Sequence, residues 1–464
     1  MTGSEGSKTS SAKEATPRQW RLSAPTWFYV FIPQKLGSGL TATLLPLFVV
    51  QVAGGNVADV GRVTALAALA GVPASIFWGN LSDRLGRRRP FLLLGFLGFA
   101  TSLLLISLGH SVSQVLIVST LGALFSTAIE PVASALVLDN VPEDRWPESL
   151  GRFNQIGGWS FVAGLLVGTA WLALLPGQWS PALAMRGLFL TAGGVASLSL
   201  ALALGWLREP PTVRGRRRFH PGLIGRLAVA VVERALFYPP RLRYFVLRPA
   251  FLAQVRQHLR NALGRYYLCS LLSFFAIHVG FVPFPIFLTD TLGATNAQVF
   301  LISLIKFTID ALLYVPMGRV VQRRRGIGLL AQATAVRVGV FGLFALIALV
   351  RPGPIGLVVV AFVHIFSGVT WAAIAVSGTT AVAMLAPKGV EGRALGLYNA
   401  IIGAAGIAGS LAGGYLAQVF GYAVSFGTAA LLMSLTAAWL WRLRAAVLSE
   451  TSHPGPAQRA DRRG

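Results

Sequence analysis

Eleven or twelve apolar stretches of near-membrane-spanning length run through this chain. They fall at about 26–52, 59–79, 90–109, 113–138, 151–174, 185–207, 264–289, 296–317, 327–350, 355–384, 395–419 and 422–444. A helix crosses the hydrocarbon in about 20 residues, so 464 residues hold about twelve crossings and their loops. Only 12% of the residues are charged and the mean hydropathy is +0.65, whereas a soluble domain carries about 25% charge. The pattern predicts an all-α membrane protein.

Net charge is +24. In a soluble protein that balance suggests nucleic acid. Here the cations sit between apolar stretches on one side, which argues against a nucleic-acid role. That side receives the N-terminal tail, Arg84, Arg87, Arg88, Arg89, Arg145, Arg152, Arg319, Arg323, Arg324, Arg325, Lys388, Arg393, Arg442 and Arg444. The other side receives little beyond Arg62, Arg186 and Arg351. Basic loops stay cytoplasmic, so both termini are expected inside a multi-pass protein of the cell (plasma or inner) membrane. The polar first 24 residues read as a tail and not as a cleaved signal peptide. One cysteine, Cys269, rules out a disulfide within the chain.

The expected divisions are a tail over 1–24, a six-span unit over 25–207, a linker over 208–262, a second six-span unit over 263–447 and a tail over 448–464. Within the linker, Leu223 to Phe237 sets Arg226, Glu233 and Arg234 against apolar residues, and a later stretch sets Leu252, Val255 and Leu259 against Arg256 and Arg260. Both suit helices lying on the anionic inner leaflet. The plainer alternative is a basic linker that fixes topology. The two units repeat. Leu150-Gly151-Arg152-Phe153-Asn154 matches Leu395-Gly396-Leu397-Tyr398-Asn399, and Gly164 and Gly168 match Gly409 and Gly413.

After the second stretch comes Gly79-Asn80-Leu81-Ser82-Asp83-Arg84-Leu85-Gly86-Arg87-Arg88-Arg89. A decayed copy follows the eighth, with Gly318 for Gly79, Arg323 for Arg84 and Gln322 in place of Asp83. The segment resembles the signature loop of the major facilitator superfamily, Gly-x-x-x-Asp-Arg-x-Gly-Arg-Arg. The resemblance covers about residues 25–447. It implies twelve transmembrane helices in two pseudo-symmetric six-helix bundles, working by alternating access. It also implies a cytoplasmic gate made by Gly79, Asp83, Arg84, Gly86, Arg87 and Arg88. Asp83 would sit against the start of span 11, and Arg87 or Arg88 would pair with Asp139. On the residues alone, the glycines permit a tight turn and the arginines reach carboxylates or lipid phosphate. The alternative is that the basic residues only enforce topology.

Ionisable residues inside spans cost about 2.5–3.5 kcal/mol each at the helix centre, so they should face a cavity or a partner. Glu130 lies in span 4 and Lys35 in span 1, at similar depth; whether they meet is open. Lys306 and Asp310 are four apart in span 8 and share a helix face. Glu130 and Asp310 are the candidates for substrate or proton coupling. The alternative is static ion pairs that lock helix packing. His278 in span 7 and Trp371 in span 10 are weaker candidates, each more often a packing residue. Arg337 in span 9 suits snorkelling or a structural contact.

The expected activity is secondary active transport, proton-coupled, with efflux of small amphipathic or drug-like molecules. Proton-coupled uptake of a sugar, organic acid or peptide is the alternative. A non-transporting sensor or lipid-handling protein on the same scaffold is a further one. Span 5 has no proline between Gly158 and Gly168, unlike many drug–proton antiporters of the family, and Leu207-Arg208-Glu209-Pro210-Pro211 is not the sugar-porter pattern. No nucleotide-binding loop, cofactor or metal site is expected, and no enzyme. The expected partners are a small-molecule substrate, protons and anionic inner-leaflet lipid, for a monomer.

Overall fold

A computed structural model describes residues 26–142, 145–174, 179–207, 209, 261–324, 326–387 and 390–452. The amphipathic segments expected within the linker and the N-terminal tail lie outside the described residues. The described residues form helices and connecting turns, without strands.

Eleven helical stretches are long and apolar enough to cross a membrane. Span 1 is not among them, and it is broken. It runs as a 3-10 turn Thr26–Phe31, then helices Ile32–Thr41 and Leu44–Gln51. Pro46 stands four residues after Ala42, and a proline lacks an N–H and collides with the carbonyl four residues back. Span 4 breaks likewise, between Val112–Ser126 and Ile129–Asp139, with Pro131 four residues after Thr127. Span 7 breaks between Ala262–Phe281 and Phe284–Leu292, at Pro283 and Pro285. A carbonyl freed inside lipid needs a new donor. In span 7 the hydroxyl of Ser425 donates to the Val279 carbonyl at 2.9 Å, the group Pro283 leaves without an amide partner.

The remaining spans are Val57–Leu85 (span 2), Arg89–Ser107 (3), Trp146–Leu174 (5), Pro181–Trp206 (6), Asn296–Arg324 (8), Ile327–Val350 (9), Pro354–Leu385 (10), Glu391–Phe420 (11) and Tyr422–Ser452 (12). Span 2 is longer than its apolar stretch suggests. Its helix carries Gly79, Asp83 and Arg84 and ends at Leu85, so these are helical and not loop residues. The turn falls on Gly86 alone, at φ +59°, a left-handed conformation that suits glycine.

The packing map is the same in both halves. Span 1 packs on 5 and 6, span 3 on 4 and 6, span 2 on 4; span 7 packs on 11 and 12, span 9 on 10 and 12, span 8 on 10. The halves meet chiefly through two pairs, spans 2 with 11 and 5 with 8, which the repeat exchanges, and spans 1 and 7 also touch. Within each half, small residues let backbones approach. A Cβ on Gly409 would lie 2.6 Å from the Phe275 carbonyl of span 7, and its counterpart Gly164 faces the backbone of span 1 at Leu36 and Gly39.

Candidate functional site

The halves touch at one end and part at the other. At the end away from the signature loop, Gln51 and Asn296 exchange amide hydrogen bonds at 3.1 and 3.0 Å. The Val57 amide donates to the Gln418 side chain at 3.2 Å. A Cβ on Gly414 would lie 3.0 Å from the Gly61 Cα, so spans 2 and 11 are in backbone contact there. At the signature-loop end, a Cβ on Gly392 or Gly396 of span 11 would meet nothing within 4 Å. The molecule is open towards the signature loop.

Asp83 and Arg88 of the loop find their partners within the first half. Arg88 donates to Asp139 at 2.8 Å, to Asp83 at 2.5 Å and to Ser82 Oγ at 2.9 Å. Burial disfavours the Arg88 charge, but the hydrogen bonds and attraction of Asp139 and Asp83 outweigh it and raise its pKa. Arg88, not Arg87, therefore takes Asp139. Arg84 and Arg87 are exposed. Asp83 pairs with Arg88 of its own half instead of the start of span 11, because the halves are parted at this end. Gly79 sits within the helix, where a Cβ would meet Pro131 at 3.5 Å. Sequence reasoning missed Glu209. Its two carboxylate oxygens accept the Arg88 and Arg89 amides, each at 3.0 Å, and cap span 3.

Between the halves lies a cavity of about 620 Å³. Span 1 contributes Lys35; span 5 contributes Phe153, Asn154, Gln155, Trp159 and Phe161; spans 8 and 10 contribute Phe307, Asp310, Tyr314 and Trp371. Phe161 and Phe307 meet edge to face at 4.9 Å and floor it. Lys35 reaches Glu130 across 95 residues of sequence and forms an ion pair with it. The break in span 4 places Glu130 in the first turn of Ile129–Asp139, where a negative charge suits the helix dipole. This pair is open to water, with side chains 24% and 57% exposed.

The second pair is enclosed. Lys306 Nζ donates to Asp310 Oδ2 at 2.7 Å, with side chains 13% and 5% exposed. Among the described residues, Asp310 Oδ1 has no hydrogen-bond partner. The Lys306 ammonium lies 3.9 Å from the Phe307 ring centroid and 5.5 Å from that of Trp371. Trp371 donates to the Tyr314 hydroxyl at 3.0 Å. Arg337 completes the cluster. It is fully buried, which excludes snorkelling. It donates to Thr370 Oγ1 at 3.1 Å and the Ser367 carbonyl at 3.0 Å, and its guanidinium stands 5.8 Å from the Trp371 ring centroid. Its Nη1 has no hydrogen-bond partner among the described residues.

His278 is not brought to the cavity. Its Nδ1 bonds to the Phe274 carbonyl at 2.8 Å and its ring packs against Gly406, between spans 7 and 11. His364 stacks on Phe284 at 4.6 Å in the core of the second half.

The profile of the Major Facilitator Superfamily matches residues 28–284 and 266–463. The chain belongs to that superfamily. It is 31% identical over 198 residues to a protein named multidrug resistance protein MdtG from Salmonella paratyphi C, covering 42% of this chain and 46% of that one. It is 23% identical over 194 residues to quinolone resistance protein NorA of Staphylococcus aureus, covering 41% and 47%. The matches thus span about half the length of these relatives. A solved POT family transporter superposes with a TM-score of 0.69 at 14% identity, covering 90% of this chain and 94% of that one, a likeness of fold. The chain is a multi-pass membrane protein of a transporter family.

Proposed function

We propose that the protein is a proton-coupled secondary transporter that exports small amphipathic molecules by alternating access. One observation carries this reading: a carboxylate, Asp310, sits enclosed in the wall of a cavity that opens at one end and is sealed at the other. An acid that is costly to keep charged in low dielectric can take and release a proton when its surroundings change. Efflux follows from the names of the partial relatives and from the aromatic lining. By the distribution of Lys and Arg, the open end faces the cytoplasm and both termini lie there.

Glu130 shares the coupling role, opposed by Lys35. Closing the signature-loop end would carry span 11 onto span 2, and Asp83 would exchange Arg88 for the first turn of span 11.

Purified protein in liposomes containing a pH-sensitive dye tests the reading. Substrate-dependent proton movement is expected, lost in Asp310→Asn and reduced in Glu130→Gln. Wild-type rates in both variants would sink the site assignment. Alternating access is tested at Gln51→Cys with Asn296→Cys. A short bifunctional thiol reagent should lock the sealed end and stop transport, restored on cleaving the reagent. Cys269 is buried and should not interfere. Transport unaffected by complete cross-linking would rule out a cycle that opens this end.

A further inference from the structure

We propose that this cavity selects amphipathic molecules carrying a negative charge, such as aromatic carboxylates, over lipophilic cations. The inference deepens the transport reading and rests on the cavity being its binding site.

A cation-binding cavity needs an unpaired carboxylate or a free aromatic face. In the charged wall both carboxylates already hold a lysine: Glu130 is paired with Lys35, and Asp310 with Lys306 through Oδ2, its Oδ1 lying buried without a hydrogen-bond partner among the described residues. The faces of Phe307 and Trp371 are engaged by the protein's own cations: Lys306 lies 3.9 Å from the first ring centroid, and Lys306 and Arg337 lie 5.5 and 5.8 Å from the second. A ligand cation at these rings would face two like charges through a medium that screens them poorly.

An anion meets the opposite field. The two clusters hold three cations (Lys35, Lys306, Arg337) and two carboxylates (Glu130, Asp310), an excess of one positive charge. The excess resides on Arg337, a fully buried guanidinium whose Nη1 has no hydrogen-bond partner among the described residues. Its hydrogen bonds to Thr370 and the Ser367 carbonyl are to neutral groups, so they hold its position without cancelling its charge. Arg337 is therefore a specificity-determining residue that acts through the Trp371 ring and not by contact. Trp159, Phe161 and Tyr314 supply apolar and stacking surface for the rest of the molecule.

Three probes on one anthracene skeleton test this with the full chain in detergent: the carboxylate, the neutral carboxamide and the trimethylammonium. Equilibrium dialysis against protein-free micelles corrects for partitioning. The expected order is carboxylate, carboxamide, trimethylammonium, with about tenfold or more between the first and last. Arg337→Gln should flatten the order and Arg337→Lys should keep it. Melting in detergent shows that each variant is folded before its binding is read. Folded Asp310→Asn leaves two cations uncompensated, so carboxylate binding should hold or tighten. The trimethylammonium binding as well as or better than the carboxylate, or carboxylate binding lost in Asp310→Asn, overturns the proposal. So does failure of all three probes to bind. Carboxylate preference without proton movement in liposomes would instead remove the proton-coupled reading and leave this one standing.

Discussion

The two halves each line the cavity with one member of a lysine–carboxylate pair, Lys35 in the first and Asp310 in the second, yet in opposite surroundings. Lys35 and Glu130 belong to different spans and stand 24% and 57% exposed; Lys306 and Asp310 share one helix and stand 13% and 5% exposed. The backbone explains the difference. Pro131 breaks span 4 and delivers Glu130 into a fresh helix N-terminus. Asp310 lies mid-helix in an unbroken stretch, walled by Phe307, Trp371 and the Arg337 cluster. An exposed pair is weak and readily exchanged for water. An enclosed one holds its partners until a proton or a ligand replaces one. The same two residue types therefore suit different steps of a cycle: the exposed pair a contact that forms and parts, the enclosed pair a charge that must be neutralised.

Asp310→Ala should break this contrast most severely. It strands the Lys306 ammonium among rings, with Arg337 nearby and no acid to offset either. Removing one partner of a buried pair costs about 3–5 kcal/mol, read as a large fall in melting temperature in detergent. A fall no larger than for a surface substitution would show that water already reaches the pair.

Replacing both partners sharpens the comparison. Lys306→Met with Asp310→Leu removes both buried charges and keeps apolar volume. Such replacements are often neutral or stabilising by about 1–4 kcal/mol, so the double variant should melt near or above wild type. Transport should nonetheless be absent. A stable, inactive double variant would separate the pair's chemistry from any packing role; an unstable one would make the pair structural.

How much of this was legible beforehand follows from the range of each interaction. Spans and the signature motif are local patterns, and they located the helices. The Lys306–Asp310 pair followed from helical spacing. Lys35 and Glu130 could be placed at equal depth, but their meeting depends on how spans 1 and 4 face each other, which no local pattern encodes. The break in span 1 was written in Pro46, yet apolar length alone concealed it. For Arg337 the sequence leaves snorkelling and a structural contact open, and packing decides for the contact. Its partners, Ser367 and Thr370, form a polar notch on span 10 that only packing brings beside it. His278 illustrates the reverse: a histidine in a cavity-lining span that faces Gly406 of a neighbour instead. Glu209 carried a usable signal, an acid just beyond a span end, but its target amides lie 120 and 121 residues away.

The smallest effect on stability is expected at the exposed pair. Glu130→Gln keeps shape and hydrogen-bonding capacity and removes one charge. Because Glu130 is more than half exposed, the loss should stay below about 1 kcal/mol, and it should shrink further in high salt as screening sets in. Lys35 would remain hydrated through the open end, unlike Lys306 after loss of Asp310. Transport should still fall if this pair takes part in coupling. A variant that melts like wild type yet moves substrate without protons would assign Glu130 a working charge. One that loses several kcal/mol would mean that the pair is enclosed for most of the cycle. The contrast between the halves would then belong to this conformation and not to the chain.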